Sequence, residues 1–595
     1  MNIQRFIALV FAFILVSINI QGQSLDWVKQ AGGTDIDAAE SAGVDGTGNT
    51  YVIGTFGTQA TFGAGEANAT TLTSAGAVSS QDIFLAKFDP TGSLVWARDI
   101  GGTDPSSGGN AGLDYGWGIA VDSAGNSYVT GQLWVDTKYV DFGGLSFGPF
   151  VQSVGGAFIA KFGTNGNGIW ANSLGPGTGF AVAIDGNGNS YVTGTAPGQV
   201  VNSNVPTTWK ISSGGSVSWE KQAPGTAADS QGQAISVDSN GNVYVAGRFT
   251  GTNTFGPGET NETVLTADNP TADGFVASYD SAGTLNWAKQ IHSDTGAWGN
   301  GMATDIDSNT YVTGVINGTT TFGMGEPNQT ALTAYNVGDM FLAKFNSDGL
   351  LLWVKQGPGS ANARGMAVTV GTLSTYLTGS FGNTITFDSG GPNETTFYGS
   401  GDGDVFVAKY ASDGSFEWAL QAGGSGAAPF GDEGTGIAFD GQNGVFIAGY
   451  FAGSPTFGSG EANETVLASA GYDDDFVAKY TDATAVSPVL NLNIAHFHVT
   501  KHVKVSHAQS VDIKLAVRNV GTVEGNASAT VVGEQGGGVV YSMTIPVTDA
   551  VGGGSTTFNF PSFTPNAVGG ITWTVTIADP SPDIDQDVAM TNVVQ

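Results

Sequence analysis

Seven tryptophans recur along the chain, each in a short strand-like segment such as SLDWVKQ, SLVWARD or TLNWAKQ. Their successive spacings are 69, 74, 49, 68, 66 and 65 residues. Self-similarity at such a period is typical of repeat architectures, because one repeat is a supersecondary unit that cannot bury its apolar face alone. The repeated residues are Trp27, Trp96, Trp170, Trp219, Trp287, Trp353 and Trp418.

Each repeat contains four strand signals in a constant order. A small-residue segment such as DYGWGIAVD (114–122) leads through a tight turn into a Tyr-Val-Thr segment such as SAGNSYVTG (123–131). A longer polar loop follows, then a third segment such as DIFLAKF (82–88), and a second turn returns to the next Trp segment. These β-branched and aromatic runs are typical of strands, and no long stretch has helical periodicity. The pattern predicts an all-β protein.

Four antiparallel strands repeated seven times, with a small-residue first strand, predict a seven-bladed β-propeller. A solenoid is the alternative architecture, which needs no closure. The array begins with a lone Trp strand (24–30) and ends with a lone third strand (475–480). We therefore expect Trp27 to belong to the last blade, beside 476–480, and to close the ring. Closure would remove an exposed sheet edge.

The combination of D-x-x-G-N-x-Y-V-x-G, D-x-F-[LV]-A-K-[FY] and x-x-W-x-[KR] resembles the bacterial β-propeller repeat family abbreviated SBBP, over about residues 24–480. The resemblance implies an exported or surface-attached propeller, generally without a defined activity. Three units depart from the pattern. The third has TTWKISSGG (207–215) in place of the third segment, the fourth has Ser278 in place of Lys, and the sixth has Val370 in place of the turn Asp.

The start and the composition of the chain indicate export. Residues 1–22 have the features of a secretory signal peptide: Arg5, an apolar stretch over 6–20, and Gly22 near a plausible cleavage point. No later segment is apolar enough to span a membrane. Cysteine is absent, and 52 acidic residues against 19 basic ones give a net charge of −33, which disfavours nucleic-acid binding. We expect a secreted or cell-surface prokaryotic protein with no transmembrane segment in its mature chain.

The propeller pattern stops near residue 480, so the propeller is assigned to 23–480 and a linker to 481–488. Residues 489–595 contain alternating runs such as SVDIKLAVRNV and ITWTVTIAD between Gly, Pro and Asn clusters, which predict an immunoglobulin-like β-sandwich. The segment 511–532 looks like CARDB-type adhesion-related domains. That resemblance implies a spacer or a binding unit.

Three aspartates at equivalent positions of the first strands fall on consecutive blades once the ring closes: Asp432, Asp37 and Asp114. They could coordinate Ca²⁺ or hydrogen-bond a glycan at the channel mouth, or each could cap its own strand. The turn aspartates, with spacing such as Asp185, Asn187 and Asn189, lack the remaining ligands of a Ca²⁺ loop, and turn chemistry accounts for them. We therefore expect no required cofactor, with Ca²⁺ as an option that no complete motif supports.

Four of the five histidines lie between 496 and 507. His496 and His498 have a spacing that can hold a transition metal on one strand face, although an exposed basic strip is the alternative. The recurrent TFGxGExNxT loops, for example 61–70 and 254–263, indicate a structural turn or a polar binding face. The seven tryptophans are interpreted as packing between blades rather than as sugar-stacking platforms.

No motif for catalysis is present: the chain lacks a nucleophile elbow, H-E-x-x-H and a phosphate-binding loop. The sequence therefore predicts a non-enzymatic, secreted or surface protein that acts as a binding, adhesion or scaffold module for extracellular glycans or proteins. One alternative is an extracellular propeller enzyme, a polysaccharide lyase or hydrolase that uses acidic residues at the channel mouth. The other is a purely structural matrix component.

Overall fold

A computed structural model describes residues 23–483, apart from 75–80, 103–112, 135–139, 149–154, 199–202, 228, 269, 336–337, 401–402 and 425–430, together with strands between 492 and 594. Every regular element in these residues is a β-strand. No helix in the described part of the chain is long and apolar enough to cross a membrane. The all-β prediction is confirmed.

Seven antiparallel four-stranded blades form a ring in which the first strand of each blade contacts the first strand of the next. From axis to rim, the strands of blades 1 to 4 are Ala38–Val44, Thr50–Phe56, Asp82–Phe88, Leu94–Gly102; Tyr115–Val121, Ser127–Leu133, Gly156–Phe162, Gly168–Pro176; Thr178–Ile184, Ser190–Pro197, Asn204–Ile211, Val217–Gln222; and Gln231–Val237, Val243–Phe249, Asp273–Tyr279, Leu285–Ser293. Those of blades 5 to 7 are Gly296–Thr304, Thr310–Asn317, Asp339–Phe345, Leu351–Gly357; Gly359–Val370, Ser374–Phe387, Asp404–Ala411, Phe416–Ala422; and Glu433–Phe439, Gly444–Ala452, Asp473–Asp482, Gln23–Ala31.

The ring closes through a strand from the beginning of the chain. Gln23–Ala31 pairs antiparallel with Asp473–Asp482, so that Trp27 lies opposite Lys479 and Ala31 opposite Asp475. The first strand of blade 7 also contacts the first strand of blade 1. The predicted closure is confirmed, and a solenoid is excluded because the two ends of the array meet.

The tight turn between the first and second strands is organised by its aspartate. In blade 1, Asp45 Oδ1 accepts hydrogen bonds from the backbone N–H groups of Thr47 and Asn49, at 2.9 and 3.0 Å. Its Oδ2 accepts from the Asn49 side chain and from the Tyr51 hydroxyl. Asp185 makes the same backbone contacts in blade 3. The D-x-N-x-N spacing is therefore used for turn formation.

Blade 6 lacks this aspartate, and the last residue of the array replaces it. The strand register places Gly371, rather than Val370, at the position of the turn aspartate, because Thr369 pairs with Tyr376 as Ala303 pairs with Tyr311 in blade 5. The Tyr376 hydroxyl donates instead to Asp482 Oδ2 at 2.8 Å. Lys409 Nζ also lies 2.8 Å from Asp482 Oδ2, and both side chains are buried. The carboxylate that blade 6 needs thus comes from the third strand of blade 7.

All seven repeat tryptophans pack against an aromatic ring of their own blade's second strand, with ring centroids 5.9 to 6.3 Å apart. Six of them donate Nε1 to a carbonyl in the turn between the third and fourth strands of the next blade, at 2.8 to 3.3 Å. A glycine of that turn lies against the indole: a Cβ on Gly92 would stand 2.6 Å from the Trp27 ring. These residues join neighbouring blades.

The seventh, Trp418, faces blade 7, whose third and fourth strands come from distant parts of the chain and are not joined by a turn. Its Nε1 has no acceptor among the described residues. Within the described residues, this difference from the other six tryptophans follows from how the ring closes.

The TFGxGExNxT loops clamp adjacent blades at the rim. Glu66 accepts from the Leu94 backbone N–H of its own blade at 2.7 Å and from Lys29 Nζ of the preceding blade at 2.9 Å. Glu259 and Glu326 repeat both contacts. The loops are the tips of hairpins inserted between second and third strands. The hairpin strands are Gln59–Phe62, Thr70–Thr73, Val140–Phe142, Leu145–Phe147, Thr252–Phe255, Thr263–Thr266, Thr319–Phe322, Thr330–Thr333, Thr395–Tyr398, Thr456–Phe457 and Thr465–Val466.

The C-terminal region contains two sheets. One consists of Leu492–Val499, Val511–Asn519 and Thr556–Phe563, and the other of His502–Lys504, Ile584–Val594, Gly569–Ala578, Gly525–Gln535 and Gly538–Asp549. His496 and His498 lie in the first of these strands, and their side chains are outside the described part of the structure. The immunoglobulin-like sandwich and the histidine metal site stay predictions.

Candidate functional site

The exposed aromatic side chains mark one end of the ring. We define the upper face as the end that carries the connections from second to third strands and from each fourth strand to the next blade. Among the described residues, four aromatic side chains are more than two-fifths exposed, and all four lie in second-to-third-strand connections. They are Trp134, Tyr335, Tyr398 and Tyr472.

A channel of about 440 Å³ runs along the axis and is lined by the first strands of all seven blades. In every blade the first strand has a β-bulge against its neighbour, and the bulged residue lines the channel. A bulge re-aims a side chain. The seven bulged residues are Glu40, Trp117, Phe180, Gln233, Asn300, Met366 and Thr435.

One side of the channel is aromatic. The Tyr115 and Trp117 rings are stacked, with centroids 5.6 Å apart, and Trp117 also contacts Phe180 at 5.9 Å. Beyond this sector the lining is amide and thioether: Asn300 Nδ2 donates to the Gly365 carbonyl at 3.1 Å. The channel therefore combines flat apolar surfaces with hydrogen-bonding groups.

The adjoining sector is acidic and belongs to blades 7 and 1. Glu433 accepts from the Tyr450 hydroxyl at 2.6 Å and from the Ser380 hydroxyl at 2.8 Å. Burial, together with the nearby Glu433 carboxylate, raises the pKa of Glu40 to about 8. Burial and Glu433 also raise the pKa of Tyr450 above its usual range. At neutral pH the channel thus holds a protonated carboxyl that can donate a hydrogen bond.

The three aspartates singled out in the sequence are buried and bound to backbone amides. Asp37 accepts from the N–H groups of Gly57 and Gly33, at 2.9 and 2.6 Å. Asp114 accepts from the Trp134 N–H at 2.8 Å, and Asp432 accepts from the Ala452 N–H at 2.9 Å. Each therefore ties the start of its first strand to the end of its second strand.

None of the described contacts joins these aspartates to one another, and a shared ligand for them stays a prediction. The channel-lining residue of each of these blades lies three positions further along the chain, as with Asp37 and Glu40. In the sequence, the channel-lining residue is marked by a variable residue between two small ones, as in GWGIA, GFAVA and GNGMA. That variable residue is the one that faces the axis.

The seam between blades 7 and 1 carries an unusual buried acid. Asp475 stands where blades 1, 5 and 6 have Ile83, Met340 and Val405. It is 3% exposed, and no side chain among the described residues donates a hydrogen bond to either carboxylate oxygen. Burial, with further contributions from Asp37 and other acids, raises its pKa well above the usual range.

These buried acids predict that stability falls as the pH rises. Burial raises the pKa of Asp37 and Asp432 to about 7 and that of Glu40 to about 8. The folded chain therefore keeps protons that the unfolded chain releases near pH 4. The contribution of these carboxyl groups to the free energy of unfolding is largest below about pH 4 and is lost as the pH rises through about 7 to 8. Urea denaturation at pH 5 and pH 8 should show the lower free energy of unfolding at pH 8.

Asp475→Asn is expected to reduce this loss, because an amide stays neutral in the buried seam. Asp45→Asn is the matched control. Although burial opposes it, hydrogen bonds from Asn49 and Thr47 keep the pKa of Asp45 low. Its replacement should destabilise the protein at pH 8. An equal change in the free energy of unfolding for both variants between pH 5 and pH 8 would contradict the raised pKa of Asp475.

Two segments of the chain, 95–132 and 219–253, match the family model described as a β-propeller repeat and abbreviated SBBP. The protein carries SBBP-type β-propeller repeats. Both segments begin at a Trp strand and run into the second strand of the following blade, so the repeat as matched spans a blade boundary. The match does not extend to the C-terminal region, where the CARDB-type resemblance stays a prediction.

The chain is 25% identical over 273 residues to an uncharacterized WD repeat-containing protein of Acanthamoeba polyphaga mimivirus. The matched region covers 41% of this chain. The chain spans 19% of the length of that relative. Among solved structures, the Dos1 propeller is 8% identical, with a TM-score of 0.34, over 77% of this chain and 94% of its own. A PL25 ulvan lyase bound to -[GlcA(1-4)Rha3S]- is 11% identical, with a TM-score of 0.33, over 75% and 97%. Likenesses at this level carry no argument about function.

Proposed function

We propose that the protein is a secreted or cell-surface, non-catalytic binding module whose upper face and channel mouth bind extracellular glycans. The observation that carries this proposal is the confinement of exposed aromatic side chains to one face of the ring. Large exposed apolar groups on a soluble surface mark interaction sites when they are grouped. The stacked Tyr115 and Trp117 continue this aromatic character into the channel.

The chemistry of the channel favours sugars over peptides or anionic ligands. Aromatic rings offer flat apolar surfaces with polar edges, which suit the apolar faces of pyranose rings. Asn300, Gln233 and protonated Glu40 supply donors and acceptors for hydroxyl groups. Because the net charge is −33, sulfated and uronate-rich glycans are repelled. We expect neutral or amine-bearing glycans to bind best.

A glycan panel probed with wild-type protein and two variants tests the proposal. Trp117→Ala should weaken binding at least about tenfold, because it removes a stacked ring from the channel. Leu373→Ala is the matched control, since Leu373 is an exposed apolar side chain in a tight turn at the other end of the ring. Binding that survives Trp117→Ala, or that falls equally in both variants, would contradict the site. Failure of the wild type to bind any glycan would favour a structural matrix component.

One specific observation favours an enzyme as the second candidate. The channel places a protonated carboxyl, Glu40, close to a second carboxylate, Glu433, which is hydrogen-bonded to Tyr450. A carboxylic acid and a carboxylate are the groups that glycoside hydrolysis uses as general acid and base or nucleophile. Assays for new reducing ends and for unsaturated products, run on the glycans that bind, decide the question. Turnover lost in Glu40→Gln with binding retained would support the enzyme, and no turnover by wild type would reject it.

A further inference from the structure

Blade 4 departs from the repeat at two positions that the fold brings into contact. His292 follows its tryptophan by five residues, and Asp268 precedes the first residue of the third strand by five. His292 Nδ1 lies 2.8 Å from Asp268 Oδ2. Blades 5, 6 and 7 have Ala334, Gly399 and Ser469 at the position of Asp268. At the position of His292 the other blades have Gly32, Gly101, Gly175, Pro224, Pro358 and Gly423.

A second acid, Asp273, lies beside this pair and is held rigidly. Asp273 is fully buried at the start of the third strand. Its Oδ2 accepts from Gln290 Nε2 at 2.6 Å and from the Asp268 N–H at 3.2 Å, and its Oδ1 accepts from the Ser293 N–H at 3.3 Å. Asp339 and Asp404 hold the same position in blades 5 and 6 with a glutamine partner. Asp273 is therefore a fixed anchor that the repeat supplies, and blade 4 adds a histidine and a carboxylate next to it.

We propose that Asp268, Asp273 and His292 form a binding site for a divalent transition metal at the upper rim of blade 4. One ligand atom from each residue lies within 4.8 Å of the other two, and no other group of three such residues does so in the described part of the chain. Metal–ligand bonds of about 2.0–2.2 Å separate ligand atoms by about 3 to 4 Å. Binding thus needs the 2.8 Å contact between Asp268 and His292 to lengthen by about 0.2 to 1.2 Å, a change within reach of the half-exposed Asp268 side chain.

The donor set and the exposure indicate the class of metal. Two carboxylates with one imidazole suit Zn²⁺, Mn²⁺ and related ions, whereas Ca²⁺ takes oxygen ligands. The His292 side chain is 23% exposed and that of Asp268 is 49% exposed, so an ion can enter from solvent. Three protein ligands leave coordination positions open for water or for an added ligand. This inference is independent of glycan binding.

The alternative is a hydrogen bond between Asp268 and His292 without a metal, and a local measurement separates the two. The full chain, with ¹³C-labelled histidine, would be titrated with Zn²⁺ and Mn²⁺ while the His292 ring signal is followed. His292→Asn assigns that signal among the five histidines. A shift that saturates near one equivalent of Zn²⁺, with broadening by Mn²⁺, is expected. An unmoved signal at excess Zn²⁺ would overturn the proposal.

Matched substitutions identify the ligands. Asp273→Asn and Asp339→Asn remove equivalent carboxylates from blades 4 and 5, but only the first belongs to the site. Asp273→Asn and the more exposed Asp268→Asn should each weaken the Zn²⁺ response of His292 at least about tenfold. Asp339→Asn should leave it unchanged. Wild-type affinity in both site variants would overturn the assignment, and their thermal melts check that each remains folded.

Discussion

Removal of residues 23–31 is expected to lower the thermal midpoint of the propeller by roughly 10 °C and to make it aggregate. The deleted strand contributes Leu25 and Val28, which are 1% and 9% exposed. Burial of each such side chain stabilises the fold by about 1.5–3 kcal/mol. The deletion also removes the outer partner of Asp473–Asp482 and leaves an open sheet edge, which is a template for association. Calorimetry and size-exclusion chromatography measure both effects.

The control for this deletion is a rescue. A synthetic peptide with the sequence of residues 23–31 should bind the truncated protein and restore the midpoint in a concentration-dependent way, since ligands of the folded state stabilise it. The same peptide with Leu25 and Val28 changed to serine should not. An unchanged midpoint after deletion would show that the closing strand contributes little to the ring.

Asp482→Asn is expected to destabilise the folded protein by about 3 kcal/mol. The substitution leaves the buried Lys409 ammonium with one remaining carboxylate, Glu417, which is partly exposed. A buried charge that loses its partner keeps its desolvation penalty, and this accounts for the size of the effect. Urea denaturation gives the free energy of unfolding. A difference below about 0.5 kcal/mol, typical of surface changes, would contradict the role of Asp482.

The repeat offers a second variant that tests the same point. Gly371→Asp supplies the turn aspartate that blade 6 lacks, at the position where Asp305 lies beside Lys344 in blade 5. In the Asp482→Asn background it should recover a substantial part of the lost stability, because the carboxylate returns to Lys409 by the other route. In the wild type it should gain little. A double-mutant cycle with no coupling between the two positions would reject the replacement.

The sequence was sufficient for the architecture because each blade repeats the same local choices. Turn aspartates, small first strands and Trp strands agree with one another in unit after unit, and such consistency specifies a fold. The incomplete units at the two ends were sufficient to predict that the ring closes, because only a strand from 24–30 could complete the last blade. The sequence could not predict that Asp482 replaces the turn aspartate of blade 6, because this contact depends on where the final strand ends in space.

The channel lining was predicted less well. The ring order brought Asp432 and Asp37 to neighbouring blades, and the acid of these blades that lines the channel is Glu40, with Glu433 nearby. Period-2 alternation assigns faces in a regular strand, and a bulge shifts that assignment by one residue. The bulge in each first strand leaves little trace in sequence beyond a variable residue between small ones. The pair His292 and Asp268 was missed because 24 residues separate its members.

Closure by the first strand of the ring also predicts an order of folding. The side chains of Asp26 and Thr481 are hydrogen-bonded although 455 residues separate them. Contacts of such sequence separation form late, since the entropy of closing the loop opposes them until the intervening blades have condensed. Of the strands in the ring, the one that is synthesised first is therefore the last to find its partner. Until residue 482 has emerged, the chain is an open arc of blades with an unpaired edge at each end.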